Sequence, residues 1–267
     1  MRASASRARA PLARVARGQL EAFVRGRGRS RTLARALASE DGRADAMTRE
    51  GKIVSEETLH SRYVTVYDRV VEFEETRASS TSTSTSTSAT RTRRFAYDVV
   101  GHPKNDFKFV VVAPFHSRET TTSGQPEFTI VREYAQGSNS ECIVLPSGAF
   151  EKGKHETLRD VAAGELREEA RVIGGTLIQM IDDDNPGLLE TKWCLNRMFP
   201  FLSIDGERDD TVIERDAEEF NMTHERVTAK ELKRHMYGGA MMMPSVVTAQ
   251  MAIDHLLKSG HLTLDDF

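Results

Sequence analysis

Cysteine, aromatic side chains and long apolar runs are all scarce in this 267-residue chain. The two cysteines, Cys142 and Cys194, are too few for a disulfide framework or a structural zinc site, so we expect two free thiols in a reducing compartment. No stretch approaches the run of about 20 apolar residues that a membrane span needs, so no membrane association is expected. Aromatic residues make up only 7% of the chain, and the lack of an aromatic-basic patch argues against RNA decapping.

Charge is unevenly distributed along the chain, although the formal net charge is only −3. Residues 1–39 contain ten arginines and a single acid, Glu21. The remaining residues, 40–267, carry 27 basic and 39 acidic side chains, a net charge of −12. A body this acidic is a poor binder of phosphate backbones and attracts cations, so we expect no nucleic-acid partner.

The arginine-rich N-terminus has the composition of an organellar transit peptide. Its arginines are spaced among alanine and serine, with almost no acids and no uninterrupted apolar core of the kind a secretory signal needs. The alternative is a basic arm that touches nucleic acid. We expect residues 1–45 to be a disordered transit peptide that directs the protein to an organelle, with the chloroplast favoured over the mitochondrion.

The rest of the chain alternates between strand and helix patterns. Strands are predicted over 52–75, and a Ser/Thr-rich insertion over 77–94 has no apolar residue larger than alanine, which predicts a disordered loop. Two apolar runs, 107–115 and 128–137, form a hairpin pattern, and 141–148 is a short strand. A helix follows at 155–171, then a strand over 192–204 that is interrupted or ended near Pro200, and two helices at 229–239 and 244–260. This order argues for a mixed α/β sandwich.

Three glutamates in the first helix carry the clearest chemical signal. Glu165, Glu168 and Glu169 stand at positions i, i+3 and i+4, so they share one helix face. Carboxylates crowded in this way repel one another unless a cation lies between them, and oxygen-rich clusters suit Mg²⁺ or Mn²⁺. Taken alone, the acidic face favours a solvated surface helix over a metal site, because Glu–Arg helices are common.

The wider segment, residues 145–175, resembles the Nudix hydrolase signature G-x5-E-x7-R-E-U-x-E-E-x-G-U, in which U is a bulky aliphatic residue. Two positions of the signature depart: Gly164 stands where the arginine belongs and Arg171 replaces the last glycine, so the helix is expected to end slightly later, at Gly174 and Gly175. The loop also holds two extra residues. The residues that match are Gly148, Glu156, Glu165, Leu166, Glu168, Glu169 and Val172.

The resemblance implies a role for each matching residue. Glu165, Glu168 and Glu169 would hold Mg²⁺ or Mn²⁺ and act in catalysis, with the backbone carbonyl of Ser147 as a further oxygen ligand. Gly148 and Glu156 would shape and brace the box. Two roles outside the box are less constrained. Glu218 is our candidate for the general base, with Glu214 and Glu219 as rivals and a solvated loop acid as the alternative. Arg132 either contacts a substrate phosphate or is an outward strand residue.

Segments outside the box look like the ADP-ribose/ADP-sugar diphosphatase branch of that family. They are FAYDVVGHP at 95–103, VREYAQG at 131–137 and the LPSG turn at 145–148. The resemblance implies a Nudix-type α/β/α sandwich with a mixed sheet over 106–267. A small N-terminal β region over 47–105 precedes it, and the resemblance allows a homodimer through that region. The implied function is metal-dependent cleavage of the diphosphate bond of a nucleoside diphosphate conjugate, such as ADP-ribose or an ADP-sugar. The alternative is a catalytically weakened nucleotide-binding or regulatory protein of the same fold.

Overall fold

The computed structural model describes residues 51–76, 90–211 and 221–267. Contacts divide the chain into a smaller unit, residues 1–52 with 72–94, and a larger unit, residues 53–71 with 95–267. Thirteen strands and three helices lie in the described ranges. They are β1 (Lys52–Ser61), β2 (Thr65–Thr76), β3 (Thr90–Gly101), β4 (Lys108–His116), β5 (Glu127–Ala135), β6 (Ser140–Val144), β7 (Ser147–Ala149), α1 (Leu158–Ala170), β8 (Val172–Ile173), β9 (Thr176–Gln179), β10 (Leu188–Leu189), β11 (Arg197–Ile204), β12 (Glu207–Arg208), β13 (Thr223–Thr228), α2 (Ala229–Tyr237) and α3 (Met243–Ser259).

The N-terminal strands form a three-stranded sheet in the order β1-β2-β3. The sequence assigned residues 90–94 to the Ser/Thr insertion, but they belong to β3, where Arg94 pairs with Glu72 at 2.7 Å. Residues 77–89 and the proposed transit peptide lie outside the described residues. The domain boundaries expected from the sequence stay predictions.

The main sheet is mixed, and β4 lies at its centre. Strands follow the order β10-β11-β4-β5-β13, with β6 on β5, β7 on β4 and β9 on β11. The expected hairpin of β4 and β5 is present, with Phe115 opposite Phe128, whereas β11 runs parallel to β4. Because parallel neighbours need a crossover, the chain between β4 and β11 has room for α1.

Alternate residues of β4 pack on opposite faces of the sheet. Val111, Ala113 and Phe115 face α2 and α3, in a core that also includes Leu232, Ile253 and Leu256. Val110 and Val112 face α1, in a core that also includes Val161, Leu166 and Phe201. Because successive side chains of a strand point to opposite faces of the sheet, β4 contributes to both cores, and a helical layer covers each face. The α/β/α sandwich expected from the sequence is confirmed.

Two strands differ from the sequence expectation at proline. The segment 141–148 is two strands, because the chain changes partner at Pro146: β6 pairs with β5, and β7 pairs with β4. Proline has no N–H to donate to a ladder, but the Pro146 carbonyl still accepts from the Val112 N–H at 2.8 Å. By contrast, β11 begins at Arg197 and continues through Pro200 to Ile204. Pro200 keeps its carbonyl bonded to the Met180 N–H at 3.0 Å, so the expected interruption was wrong.

Helix α1 is shorter than expected at both ends. It begins after Thr157, whose side chain accepts from the Asp160 N–H while the Asp160 carboxylate accepts from the Thr157 N–H. It ends at Ala170, because Arg171 takes the left-handed conformation at φ 57° and caps the helix. The expectation that the helix would run on to Gly174 and Gly175 was wrong. No helix in the described part of the chain has the length and apolar character to cross a membrane.

Gly164 lies in the interior of α1, and a Cβ added there would meet no atom within 4 Å. Replacing it by alanine removes the backbone entropy that glycine loses on folding, so we expect Gly164→Ala to raise the free energy of unfolding by about 0.5–1 kcal/mol. Urea unfolding of the full chain measures this change. The matched control is Ala163→Gly, one residue earlier and exposed, which should lower stability by about the same amount. An unchanged or lower stability for Gly164→Ala would contradict this account of α1.

Candidate active site

A cavity of about 1270 Å³ opens in the larger unit beside the glutamate face of α1. Its wall includes Glu165, Glu168 and Glu169 together with the first two residues of β7, Ser147 and Gly148. The structure therefore brings together all three helical glutamates and two of the loop residues that the sequence predicted. The rest of the wall comes from residues 61–63, 65, 102–105, 133–138 and 239–242 and a few separate residues.

Gly148 lies directly against the carboxylate of Glu165. A Cβ added at residue 148 would be 1.7 Å from Glu165 Oε1 and 2.1 Å from its Cδ. No side chain fits there unless the glutamate turns away. Glycine at this position lets the backbone approach the Glu165 carboxylate closely. This contact gives a physical reason for a glycine at residue 148.

Glu169 is held by the residue before that glycine. Its side chain is only 5% exposed, and its Oε2 accepts a hydrogen bond from the Ser147 N–H at 2.9 Å. Burying a carboxylate is costly unless it is hydrogen-bonded, and this bond supplies one such partner. Glu168, between the two, is half-buried and lines the cavity.

The turn that contacts both glutamates is held in place by β4 and α3. β7 pairs with the central strand β4, with Val110 opposite Gly148 and Val111 opposite Ser147. The Leu145 N–H donates to Ser245 Oγ of α3 at 3.0 Å. The position of the turn is thereby set by the core of the sandwich and not by the loop itself.

No arginine occupies the box position at Gly164, and the neighbouring Arg167 serves another contact. Arg167 Nε donates to Asp209 Oδ2 at 2.7 Å and its Nη2 donates to Thr211 Oγ1 at 3.3 Å. Hydrogen bonds from Thr211 and from Arg167 hold the pKa of Asp209 at about 2, well below its usual value. Arg167 therefore ties α1 to the segment after β12.

The other predicted residues lie outside this cluster. Glu156 is exposed, one residue before the helix cap Thr157, and its bracing role stays a prediction. Arg132 lies on β5, where its guanidinium pairs with Glu225 at 2.6 Å and with Glu141 at 3.0 Å; these partners, Glu225 first, raise the arginine's pKa. It is the next residue, Glu133, that lines the cavity. The candidates for the general base, Glu218, Glu214 and Glu219, lie outside the described residues.

Several cavity residues were not singled out from the sequence. Tyr63, in the turn between β1 and β2, and His102, directly after β3, line the cavity with the exposed cations Arg62, Lys104 and Lys154. These residues lie in segments that are far apart in the sequence and belong to no shared motif. Residue spacing therefore could not predict that they meet. The one available cue was a polar residue at the end of a strand, in the segment FAYDVVGHP.

The donor set of the cluster fits a hard divalent cation, because carboxylates and a backbone carbonyl are the oxygen ligands that Mg²⁺ and Mn²⁺ prefer. As the side chains stand, no group of three or more His, Cys, Asp or Glu within the described ranges is arranged to hold a metal ion. The Glu169 carboxylate instead faces the Ser147 amide, and that of Glu165 lies against Gly148. The two cysteines are free, and burial, the largest cause in each case, raises the pKa of both thiols to about 11.

Comparison with protein-family models gives no match, and neither does comparison with curated proteins. Among solved structures, the chain is similar to the crystal structure of an ADP compounds hydrolase. The TM-score is 0.57 at 16% sequence identity, over 80% of this chain and 98% of that chain. At this identity the likeness shows the fold, and it supports the Nudix-type α/β architecture expected from the sequence.

Because the Asp209 pKa is about 2 in the folded chain and about 3.9 in an unfolded one, the charged carboxylate stabilises the fold above pH ~4, and this stabilisation is lost as the pH falls towards 2. We expect Asp209→Asn to destabilise the full chain at pH 7, and the gap to wild type to shrink below pH 4. Urea unfolding at pH 7, 4 and 3 measures the gap. Asp210→Asn, at the exposed neighbouring carboxylate, should change stability little at any pH. A stability difference between wild type and Asp209→Asn that stays constant with pH would contradict this assignment of the Asp209 pKa.

Proposed function

We propose that the chain is a divalent-metal-dependent hydrolase that cleaves the diphosphate bond of a nucleoside diphosphate conjugate, with ADP-ribose or an ADP-sugar as the substrate class. One observation carries the proposal: the turn at Ser147 and Gly148 lies against Glu169 and Glu165 so closely that a Cβ at residue 148 would overlap the Glu165 carboxylate where it stands. A solvated acidic face has no need of such a contact. The ADP compounds hydrolase with the same fold supports the substrate class by analogy.

The residues of the cluster have separate tasks in this proposal. Glu165, Glu168, Glu169 and the Ser147 carbonyl would hold Mg²⁺ or Mn²⁺, which supplies Lewis-acid stabilisation of the diphosphate and lowers the pKa of water. The Ser147 N–H donates to the Glu169 carboxylate, so in this proposal the turn would position one ligand through its amide and supply a second through its carbonyl. Gly148 leaves the space in which Glu165 lies.

The cavity suits an anionic ligand of nucleotide size. Its volume of about 1270 Å³ exceeds the range of about 300–1,000 Å³ that is common for small-molecule sites. The cations Arg62, Lys104 and Lys154 at its wall would offset the charge of a diphosphate conjugate in an otherwise acidic protein. The exposed ring of Tyr63 adds a flat apolar surface at the same wall. Arg132 would reach a phosphate only by leaving Glu225 and Glu141, which makes it the weaker candidate for that contact.

The hydrolysis test is a panel of ADP-ribose, ADP-glucose and related conjugates with Mg²⁺ or Mn²⁺, scored by release of AMP from the full chain. We expect Glu169→Gln to lower kcat/KM by at least about 100-fold, as removal of a charge-stabilising group at a reacting centre does. Gly148→Ala should lower it by about 10- to 100-fold by displacing Glu165, with little loss of stability, because the clash meets a side chain that can turn. We further propose Glu218 as general base, so Glu218→Gln should cost more than Glu214→Gln or Glu219→Gln.

The control for this panel is Glu207→Gln, an exposed acid on β12, which should hydrolyse at the wild-type rate. Wild-type activity in Glu169→Gln would refute the metal-site assignment. Gly164 in place of the box arginine favours the second candidate function, a binding protein that has lost catalysis. Binding of ADP-ribose without metal-dependent release of AMP from any conjugate would establish that alternative.

We also propose a homodimer that forms through the N-terminal β region. Exposed apolar side chains on β1 and β3 support the dimer: Ile53 is 51% exposed, Leu59 58%, Phe95 44% and Tyr97 45%. A second copy would cover surface of this kind. Sedimentation velocity should give a dimer for wild type and a monomer for Leu59→Glu, while Leu189→Glu, at an exposed leucine outside that region, stays dimeric. A monomeric wild type would contradict this assembly.

For residues 1–45 we propose an organellar transit peptide. Import of the full chain into isolated chloroplasts but not into isolated mitochondria tests this targeting.

A further inference from the structure

One carboxylate joins two segments of the cavity wall. Asp106 caps the short turn that follows β3, and it accepts hydrogen bonds from Lys108 Nζ at 2.8 Å and from Lys152 Nζ at 2.9 Å. These bonds, that of Lys108 first, lower the pKa of Asp106 to about 2, so the carboxylate is charged at neutral pH. Lys152 lies in the loop between β7 and α1, which is two residues longer than in the Nudix signature. The turn contributes Lys104 to the cavity wall and the loop contributes Lys154.

The four lysines of these two segments, residues 102–108 and 149–155, divide into two kinds. Lys108 and Lys152 pair with Asp106 and do not line the cavity. Lys104 and Lys154 do line it, and both are exposed, so a ligand in the cavity can reach them. Neither forms an ion pair with any residue in the described part of the chain. Asp106 therefore offsets the charge of the two lysines away from the wall and leaves the two at the wall to attract an anion.

The long loop contacts the turn segment at a second point. The Phe150 N–H donates to the Lys108 carbonyl at 3.0 Å, and the Lys108 ammonium lies 6.0 Å from the centre of the Phe150 ring. Within the loop, the Lys154 N–H donates to the Glu151 carbonyl at 3.2 Å. The loop that carries Lys154 is thus joined to the turn segment both at Phe150 and at Lys152.

The turn itself has an uncommon backbone conformation. Asp106 and Phe107 both have positive φ, 54° and 56°. Aspartate tolerates this region, but a bulky side chain such as that of Phe107 rarely adopts it. The Asp106 N–H donates to the Pro103 carbonyl at 3.2 Å, and the Phe107 N–H donates to the His102 carbonyl at 3.1 Å. Strain of this kind persists only where the surrounding structure holds it, and it is concentrated at functional sites.

We propose that Lys104 and Lys154 bind the diphosphate of the ligand as a pair of cations. Asp106, through its bond to Lys152, is the positioning residue that holds the two lysines at one wall. Lysine binds phosphate as a point charge without a planar fit, so its contribution depends on where the backbone places it. The class of ligand, an organic diphosphate, rests on the proposed function, whereas the pairing of the two segments through Asp106 does not.

The first test measures binding of ADP-ribose and adenosine to the full chain by calorimetry without divalent metal. We expect Lys104→Gln and Lys154→Gln each to weaken ADP-ribose binding by about 3- to 10-fold and to leave adenosine binding unchanged, because only the phosphate contacts are lost. Lys258→Gln, at an exposed lysine of α3 outside the cavity wall, is the matched control and should bind as wild type does. A larger loss in Arg62→Gln than in either lysine variant would place the diphosphate at the turn between β1 and β2 and overturn the proposal.

The second test separates positioning from direct contact. Lys152→Met removes the bond to Asp106, and we expect it to weaken ADP-ribose binding by about 3-fold alone and to have no further effect in the Lys154→Gln background. An equal effect in both backgrounds would show a direct contact and refute the positioning role. Lys152→Arg keeps a cation beside Asp106 and should retain wild-type affinity. Because exposed ion pairs contribute little to stability, urea unfolding should be the same for all these variants.

These readouts separate the inference from the proposed function. A loss of ADP-ribose affinity in both Lys104→Gln and Lys154→Gln, together with no release of AMP by wild type with Mg²⁺ or Mn²⁺, would support the cation pair and refute the hydrolase. Release of AMP with unchanged KM and unchanged affinity in both variants would support the hydrolase and overturn the cation pair. Failure of wild type to bind ADP-ribose would overturn the inference as well.

Discussion

The contact between the Ser147–Gly148 turn and two glutamates of α1 is the constraint on which the rest of the site depends. It leaves no room for a Cβ at residue 148 while Glu165 keeps its place, because that Cβ would lie 1.7 Å from Glu165 Oε1. It also requires a fixed turn and a fixed helix. β4 meets both needs: it pairs with the turn, and its Val110 and Val112 contact α1 in one apolar core. The carboxylates are therefore held by the same strand that divides the core into two layers.

Two departures from the Nudix pattern affect this helix, one in its interior and one at its C-terminal cap. Gly164 puts a glycine in the helix interior, and Arg171 puts a side chain at the left-handed cap, where the pattern has glycine. Each choice costs helix stability of about 1 kcal/mol. A partial compensation is visible, since Arg171 Nη1 donates to the Thr211 carbonyl at 3.0 Å and Arg167 pairs with Asp209. Arg167 and Arg171 thus connect α1 to the segment after β12.

The sequence was most informative where periodicity and local chemistry decide the outcome. The mixed sandwich, the shared face of Glu165, Glu168 and Glu169, and the place of Gly148 beside them follow from strand order, helix spacing and the signature. Helix ends and the strand through Pro200 were less predictable, because caps and sheet neighbours set them. His102 was missed for a different reason: its partner Asn196 is 94 residues away, and no local pattern reports a contact of that kind.

The central claim is that three carboxylates and one backbone carbonyl form a divalent-cation site, and Mn²⁺ binding measures this most directly. In an electron paramagnetic resonance titration of the full chain, free Mn²⁺ should fall as protein is added, and Glu165→Gln and Glu169→Gln should each abolish most of that binding. The exposed-acid variant Glu207→Gln should bind as wild type does. Equal Mn²⁺ binding by wild type and both site variants would contradict the account.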